Sequence, residues 1–163
     1  MKIVIAGSRH IANVDLISEC LRDSCWMRSI DLEIGVGCAR GVDTVAEDML
    51  RGSALIVQFP ADWKAYGKSA GLIRNARMAA WGDRLIAIGY SDSRGTQDMV
   101  RRMLDWGKPV AEYVVGSDGS VRRRLRIRCG CPGSSPEPSI FFRELFKRLT
   151  FGCQSCGRVI FGD

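Results

Sequence analysis

Short apolar runs alternate with amphipathic segments along the first 115 residues of the chain. Runs that are apolar at nearly every position predict strands buried on both faces, whereas apolar residues recurring every three or four positions predict helices. The predicted strands are residues 2–6, 32–36, 54–59, 84–88 and 110–115, and the predicted helices follow Asn13 and Gly41 and cover residues 72–81 and 96–106. Strands that alternate with helices predict an α/β three-layer sandwich with a mostly parallel five-stranded sheet.

The C-terminal residues, 117–163, differ in pattern and in charge. They contain nine of the 24 Lys and Arg residues but only four of the 18 Asp and Glu residues. Alternating arginines predict a strand over residues 121–128, Pro, Gly and Ser predict a loop over 130–139, and apolar residues at helical spacing predict a helix over 140–149. We therefore predict a domain of residues 1–116 and an appended basic extension of residues 117–163. Its charge indicates nucleic acid or another polyanion as a partner, with a solvated arginine face as the alternative.

The apolar segments limit where the protein works. None approaches the roughly 18 residues needed to cross a bilayer, and the apolar start of the chain is too short for a signal-peptide core. We therefore expect a cytoplasmic protein with no membrane partner. The apolar segment 140–149 is typical of internal packing or of a contact in a homo-oligomer.

The cysteines divide into two groups. Cytoplasmic thiols stay reduced, so the seven cysteines predict free thiols or metal ligands rather than disulfides. Cys20, Cys25 and Cys38 lie among apolar residues and are expected in the core. The other four, Cys129, Cys131, Cys153 and Cys156, form two close pairs and predict a structural zinc site in a zinc-ribbon-like appendage. Free or redox-active thiols are the alternative.

Three loops between a predicted strand and the next helix contain both glycine and arginine. They are residues 7–9 (GSR), 37–43 (GCARGVD) and 93–96 (SRGT). Glycine lets the backbone approach a ligand, whereas arginine and the free N–H groups of a helix start bind anions. Each loop alone is also typical of a simple turn. In a parallel sheet these loops lie at one edge, so together they predict a single ligand-binding crevice.

These loops belong to an ordered set of five motifs. The other segments are FPADWKAYGKSAG at residues 59–71 and IRNARM at 73–78, and the second loop contributes ARGVD at 39–43. In this order the motifs resemble the YspA-like branch of the SLOG superfamily, over about residues 1–115. The resemblance implies a Rossmann-like fold that binds nucleotides or nucleotide-derived small molecules such as ADP-ribose or NAD derivatives.

The motifs and the resemblance together define an expected ligand site. Its residues are Gly7, Ser8, Arg9, Gly37, Arg40, Gly41, Asp43, Trp63, Tyr66, Lys68, Arg74, Asn75, Ser93, Arg94, Gly95 and Thr96. The arginines and Thr96 are expected to hold phosphates, and Asp43 or Asn75 to orient a ribose or base. Trp63 and Tyr66 are expected to stack on a base, with a surface loop over residues 60–70 as the alternative. His10 is expected at the surface.

Two departures from the related proteins change the expected chemistry. Cys38 and Val42 replace smaller residues of the second loop and are expected to narrow the pocket. LOG-type phosphoribohydrolases resemble this chain around residues 95–96 but have a glutamate where it has Met99, and a thioether cannot act as an acid or base. Asp98 is adjacent but points about 100° away on a helix. Such hydrolysis is therefore not expected, although a nucleic-acid-binding protein and another nucleotide-cleaving enzyme remain alternatives to a ligand-binding protein.

Overall fold

The computed structural model of the protein describes residues 1–28, 31–126, 140–145, 148–153 and 159–161. The strands are β1 (Lys2–Gly7), β2 (Glu33–Val36), β3 (Leu55–Gln58), β4 (Arg84–Gly89), β5 (Val110–Val115), β6 (Val121–Arg126), β7 (Ile140–Leu145), β8 (Arg148–Cys153) and β9 (Val159–Phe161). The α-helices are α1 (Val14–Asp23), α2 (Val42–Leu50), α3 (Trp63–Tyr66), α4 (Ala70–Trp81) and α5 (Arg94–Asp105), and single 3-10 turns cover Cys25–Arg28 and Gly67–Ser69.

The main sheet has six strands in the order β3-β2-β1-β4-β5-β6. The first five are parallel, and β6 runs antiparallel to β5. The chain changes direction across the sheet between β1 and β4, which are neighbours. This order is compatible with a Rossmann-like fold, in which the switch point at the carboxyl ends of such strands leaves a crevice.

The sheet separates two apolar clusters, which explains why its inner strands β1, β2 and β4 are largely apolar. Alternate residues of β1 point to opposite faces, so Ile3 and Ile5 pack with α1 and α2, whereas Val4 packs with α4 and α5. The predicted cap of α1 is present, because Asn13 Oδ1 accepts a hydrogen bond from Leu16 N at 3.0 Å. The three-layer α/β architecture is therefore confirmed.

The sheet is larger than the expected five strands. A tight turn, in which Gly116 N donates to Ser120 O at 2.7 Å, returns the chain so that β6 adds a sixth strand beside β5. The basic charge of residues 117–163 predicts that β6 belongs to the extension, since its arginines contribute to that charge. An edge strand needs no apolar residues on its solvent side, and β6 joins the sheet through its backbone pairing with β5. Residues 127–128 of that predicted strand lie outside the described part of the chain.

Two further local expectations were incomplete or wrong. The loop over residues 60–70 contains α3, which Asp62 caps by accepting a hydrogen bond from Ala65 N at 2.9 Å. Cys20 is buried as expected, but Cys38 is exposed, and the side chain of Cys25 is outside the description.

Beyond β6, the described parts of the extension form a three-stranded antiparallel sheet, β7-β8-β9. The expected helix over residues 140–149 is therefore wrong, since β7 and β8 pair across this segment. Short aromatic and β-branched runs also suit strands, and periodicity alone does not separate the two over so few residues.

The zinc site of the extension stays a prediction. Cys129, Cys131 and Cys156 lie outside the described residues, and of Cys153 only the backbone is described. Within the described residues no group of three His, Cys, Asp or Glu side chains is placed to hold a metal. Among the described helices, none has the length and apolar character to cross a bilayer.

Candidate functional site

A cavity of about 440 Å³ opens at the carboxyl ends of β1 and β4. The loops after β1, β2 and β4 all contribute to it, together with α4, as the strand order requires. Its lining consists of Ala6, Gly7, Ser8, Arg9, His10, Ala39, Asp43, Arg74, Asn75, Met78, Tyr90, Asp92, Ser93, Arg94, Gly95 and Thr96. The cavity therefore brings together ten of the residues expected from the sequence.

Asp43, in the first turn of α2, connects two of these loops. Its Oδ1 accepts a hydrogen bond from Gly7 N at 3.3 Å, and its Oδ2 accepts from Gly37 N at 3.1 Å and Ala39 N at 3.4 Å. The side chain is buried, and burial raises the pKa of this carboxyl to about 6, against the lowering effect of Arg74 and the three N–H groups. Asp43 thus holds the loops after β1 and β2 in one arrangement.

Arg74 on α4 faces Asp43 and is also held from several sides. Its Nη1 lies 3.8 Å from Asp43 Oδ2 and donates a hydrogen bond to Gly37 O, while its Nε donates to Asn75 Oδ1 at 3.0 Å. Gly37 leaves no room for a side chain, because a Cβ there would lie 1.7 Å from Arg74 Nη1. Arg74 therefore borders the cavity, but several of its N–H donors already bind acceptors of the protein itself.

Asn75, the next residue, connects α4 with the start of α5. Its Nδ2 donates to Gly95 O at 3.2 Å and to Asp98 Oδ2 at 3.0 Å. Asp98 also accepts hydrogen bonds from Arg101 at 2.8 Å and Arg102 at 2.9 Å. Burial acts to raise the pKa of Asp98, but the hydrogen bonds to this carboxylate outweigh burial and lower it. Both donors of the Asn75 amide are thus used in positioning the loop after β4.

The first residues of α5 border the cavity. The first hydrogen bond of the helix runs from Gln97 N to Ser93 O at 2.9 Å, so the N–H groups of Arg94, Gly95 and Thr96 lack an intrahelical acceptor. A Cβ added to Gly95 would meet nothing within 4 Å, so this backbone is open. Unsatisfied N–H groups at a helix start, with an arginine among them, form an anion-binding arrangement.

Arg9 lies on the opposite side of the cavity. Its guanidinium carbon is 5.8 Å from the centre of the Trp63 ring, close enough for a cation–π contact. Trp63 and Tyr66 are half exposed and Lys68 is exposed, and all three lie outside the cavity lining. Trp63 therefore contacts the site through Arg9.

The other expected residues outside the lining have different surroundings. Arg40 is exposed. Gly41 has φ of +80°, and a Cβ there would lie 2.4 Å from Ser8 O. Gly41 is thus required by its positive φ and by the close approach of the first two loops, whereas a Cβ at Gly37 would meet the side chains of Arg74 and Asp43.

The lining includes residues that the motifs did not single out. His10 is at the surface as expected, but it also borders the cavity, as do Tyr90 and Asp92. Tyr90 and Asp92 lie between the end of β4 and the SRGT motif. Extending that motif back to the last apolar residue of the strand would have included them.

The two departures in the second loop do not act as expected. Neither Cys38 nor Val42 lines the cavity, so the expected narrowing is wrong. Val42 is fully buried, and a Cβ at Gly7 would lie 2.5 Å from its Cγ2. Cys38 is exposed and has φ of +56°, the left-handed region that favours glycine. Cys38 therefore strains the backbone and does not reduce the volume of the cavity.

Position 99 is also explained by packing. Met99 is fully buried in the apolar cluster formed with Met78, Leu85 and Met103. Its side chain points into the core below the cavity, while Asp98 lies outside the cavity lining.

The chain is similar to the Gene 61 protein of Mycobacterium phage D29. The two sequences are 29% identical over 119 residues, which is 69% of this chain and 95% of the phage protein. No protein-family model matches the sequence, and no solved structure matches it.

Proposed function

We propose that the protein binds a nucleotide-derived small molecule, such as AMP or an ADP-ribose or NAD derivative, in the cavity at the ends of β1 and β4. One observation carries this proposal: the free N–H groups of α5 and the Arg94 side chain border the same cavity as Arg9. A phosphate is the group that this combination suits best, because it accepts several charge-assisted hydrogen bonds at once.

The size and charge of the cavity support a nucleotide-sized ligand. Its volume of about 440 Å³ lies within the roughly 300–1,000 Å³ typical of small-molecule sites. Asp43 is paired with Arg74, and Asp92 is the other carboxylate that lines the cavity together with Arg9 and Arg94. The resemblance of the five motifs to YspA-like members of the SLOG superfamily supports the same class of ligand.

Binding without turnover is the form of this function that the cavity favours. Both carboxylate oxygens of Asp43 accept backbone hydrogen bonds, so this acid organises the loops. The position that corresponds to the LOG-type glutamate is the buried Met99. A ligand that is held and released unchanged would make the protein a sensor or a carrier in the cytoplasm.

Isothermal titration calorimetry with AMP and ADP-ribose tests the proposal. We expect Arg94→Ala to weaken binding by about 10- to 150-fold, the equivalent of a charge-assisted hydrogen bond of about 1.5–3 kcal/mol. Arg22→Ala is the matched control, since Arg22 is exposed on α1 outside the cavity lining. Absence of binding by both ligands would contradict the proposal, and unchanged affinity in Arg94→Ala would remove Arg94 from the site.

A further inference from the structure

A second concave surface lies on the other side of Arg94. This groove, of about 640 Å³, runs between α5 and the strands β5 and β6. Its charged lining residues are Arg94, Arg101, Arg124, Arg126, Asp98 and Glu112. Arg94 also lines the first cavity, so one side chain borders both.

The register of β5 and β6 explains why arginines line this groove. Glu112 is paired with Arg124, and Val110 with Arg126, so Arg124 and Arg126 lie on the face that α5 flanks. Arg123 lies on the opposite face, where its Nη1 is 3.3 Å from Asp23 Oδ2. Because side chains alternate between the two faces of a strand, Arg124 and Arg126 lie at the groove and Arg123 lies on the other face.

The positive charge of the groove is only partly compensated. Asp98 is paired with Arg101 and Arg102, and Glu112 is paired with Arg126 at 3.1 Å. Within the described part of the chain, the side chains of Arg94 and Arg124 form no hydrogen bond or ion pair. Two arginines thus remain available for an anion, one at each side of the groove.

The lining also indicates the chemistry of that anion. The residues that line the groove, all within the described ranges, include no aromatic side chain on which a base could stack. Guanidinium groups without a stacking surface suit a phosphate rather than a base. Residues 127–163, which continue from β6, contain five Lys or Arg and three Asp or Glu. Such a basic segment does not complement a basic groove, which favours a separate anionic ligand.

We propose that this groove is a second phosphate-binding subsite. The ligand is then a nucleotide with two separated phosphates, one in the cavity and one in the groove, and Arg94 lies between them. The inference rests on the proposed function, because the first phosphate occupies the cavity at the start of α5. Arg124 then contacts the second phosphate from β6. Two separated phosphates are found both in a free dinucleotide and at the 5′ end of a nucleic acid strand.

The test compares the affinities of AMP and of pApA, a 5′-phosphorylated dinucleotide, measured by calorimetry on the full chain. We expect pApA to bind about 10-fold more tightly than AMP, because it adds one charge-assisted contact. Arg124→Ala should abolish this gain and leave the affinity for AMP unchanged, whereas Arg94→Ala should weaken both ligands. Arg123→Ala, on the same strand but the opposite face, is the matched control and should keep the gain.

The outcomes separate the two proposals. AMP binding with no gain for pApA, or a gain that survives Arg124→Ala, overturns the second subsite and leaves the proposed function standing. Absence of binding by both ligands overturns both. A longer 5′-phosphorylated oligoadenylate distinguishes the sources: affinity equal to that of pApA supports a free dinucleotide, and higher affinity that Arg124→Ala lowers supports a strand end.

Discussion

Replacing Asp43 by asparagine should remove a component of the pH dependence of stability. The Asp43 carboxyl is buried between two loops, and burial raises its pKa to about 6. An aspartate in an unfolded chain has a pKa of about 3.9. Between these two values the folded protein binds more protons than the unfolded one, so the free energy of unfolding falls as pH rises. The contribution is fully present below about pH 3.9 and fully lost above about pH 6.

The size of this effect follows from the difference in pKa. A difference of about two pKa units corresponds to about 3 kcal/mol, since each unit corresponds to about 1.36 kcal/mol. Part of this change occurs below pH 4, so about 2.5 kcal/mol remains between about pH 4 and pH 7.5. Asparagine cannot ionise, and its side chain keeps a carbonyl oxygen for some of the N–H groups of Gly7, Gly37 and Ala39. Any lost hydrogen bond adds a constant offset of about 1 kcal/mol that does not depend on pH.

Urea unfolding of both proteins at these two pH values measures the effect. The expected result is that the difference in free energy of unfolding between wild type and Asp43→Asn changes by about 2.5 kcal/mol in favour of the variant at the higher pH. Other titrating groups cancel in this comparison, because both proteins contain them. A difference that stays the same at both pH values would show that Arg74 and the three N–H groups hold Asp43 at an ordinary pKa, and the reasoning would fail.

Four further outcomes are expected. Gly95→Ala should leave the free energy of unfolding unchanged or raise it by up to about 1 kcal/mol. It should also weaken AMP binding, because the added methyl group enters open space at the cavity. Gly41→Ala, in contrast, should lower the free energy of unfolding, since a Cβ there would meet Ser8 O at 2.4 Å. Cys38→Gly should raise the free energy of unfolding by about 1 kcal/mol by relieving the positive φ, as thermal or urea unfolding would show. Chromatography of AMP incubated with the protein should detect no free adenine, and turnover that Arg74→Ala abolishes would contradict this. Metal analysis of the full chain should find about one zinc bound by the four cysteines of the extension, and under half an equivalent would count against it.

The central parallel strands β1 and β4 could be predicted from the sequence because both of their faces are buried. Every residue of β1 between Ile3 and Ile5 is fully buried, so the apolar signal is continuous. The antiparallel strand β6 could not be predicted as part of the same sheet, because three of its six residues are exposed arginines and its pairing with β5 is a backbone property. Side-chain pattern detects burial, and an edge strand buries little.

The positions of the site loops could also be predicted from the sequence. Which of their residues hold the loops in place, and which remain free to bind a ligand, could not. The motifs place Asp43, Arg74 and Asn75 beside the ligand, and all three do line the cavity. Their hydrogen bonds, however, run to Gly7, Gly37 and Gly95, which lie on three different loops. Such contacts join residues that are far apart in sequence, so they become visible only when the loops are placed in space.

Some polar residues of the motifs hold the loops and others are free for a ligand, which explains why the motifs contain more polar residues than a ligand requires. A loop that exposes free N–H groups to a ligand cannot satisfy them within its own backbone, so its shape must be held by side chains from elsewhere. Asp43 and Arg74 do this for the first two loops, and Asn75 does it for the loop before α5. Under the proposed function, the residues left to contact a ligand are Arg9 and Arg94 together with the start of α5. Substituting the holding residues should therefore change stability and binding together, whereas substituting Arg94 should change binding alone.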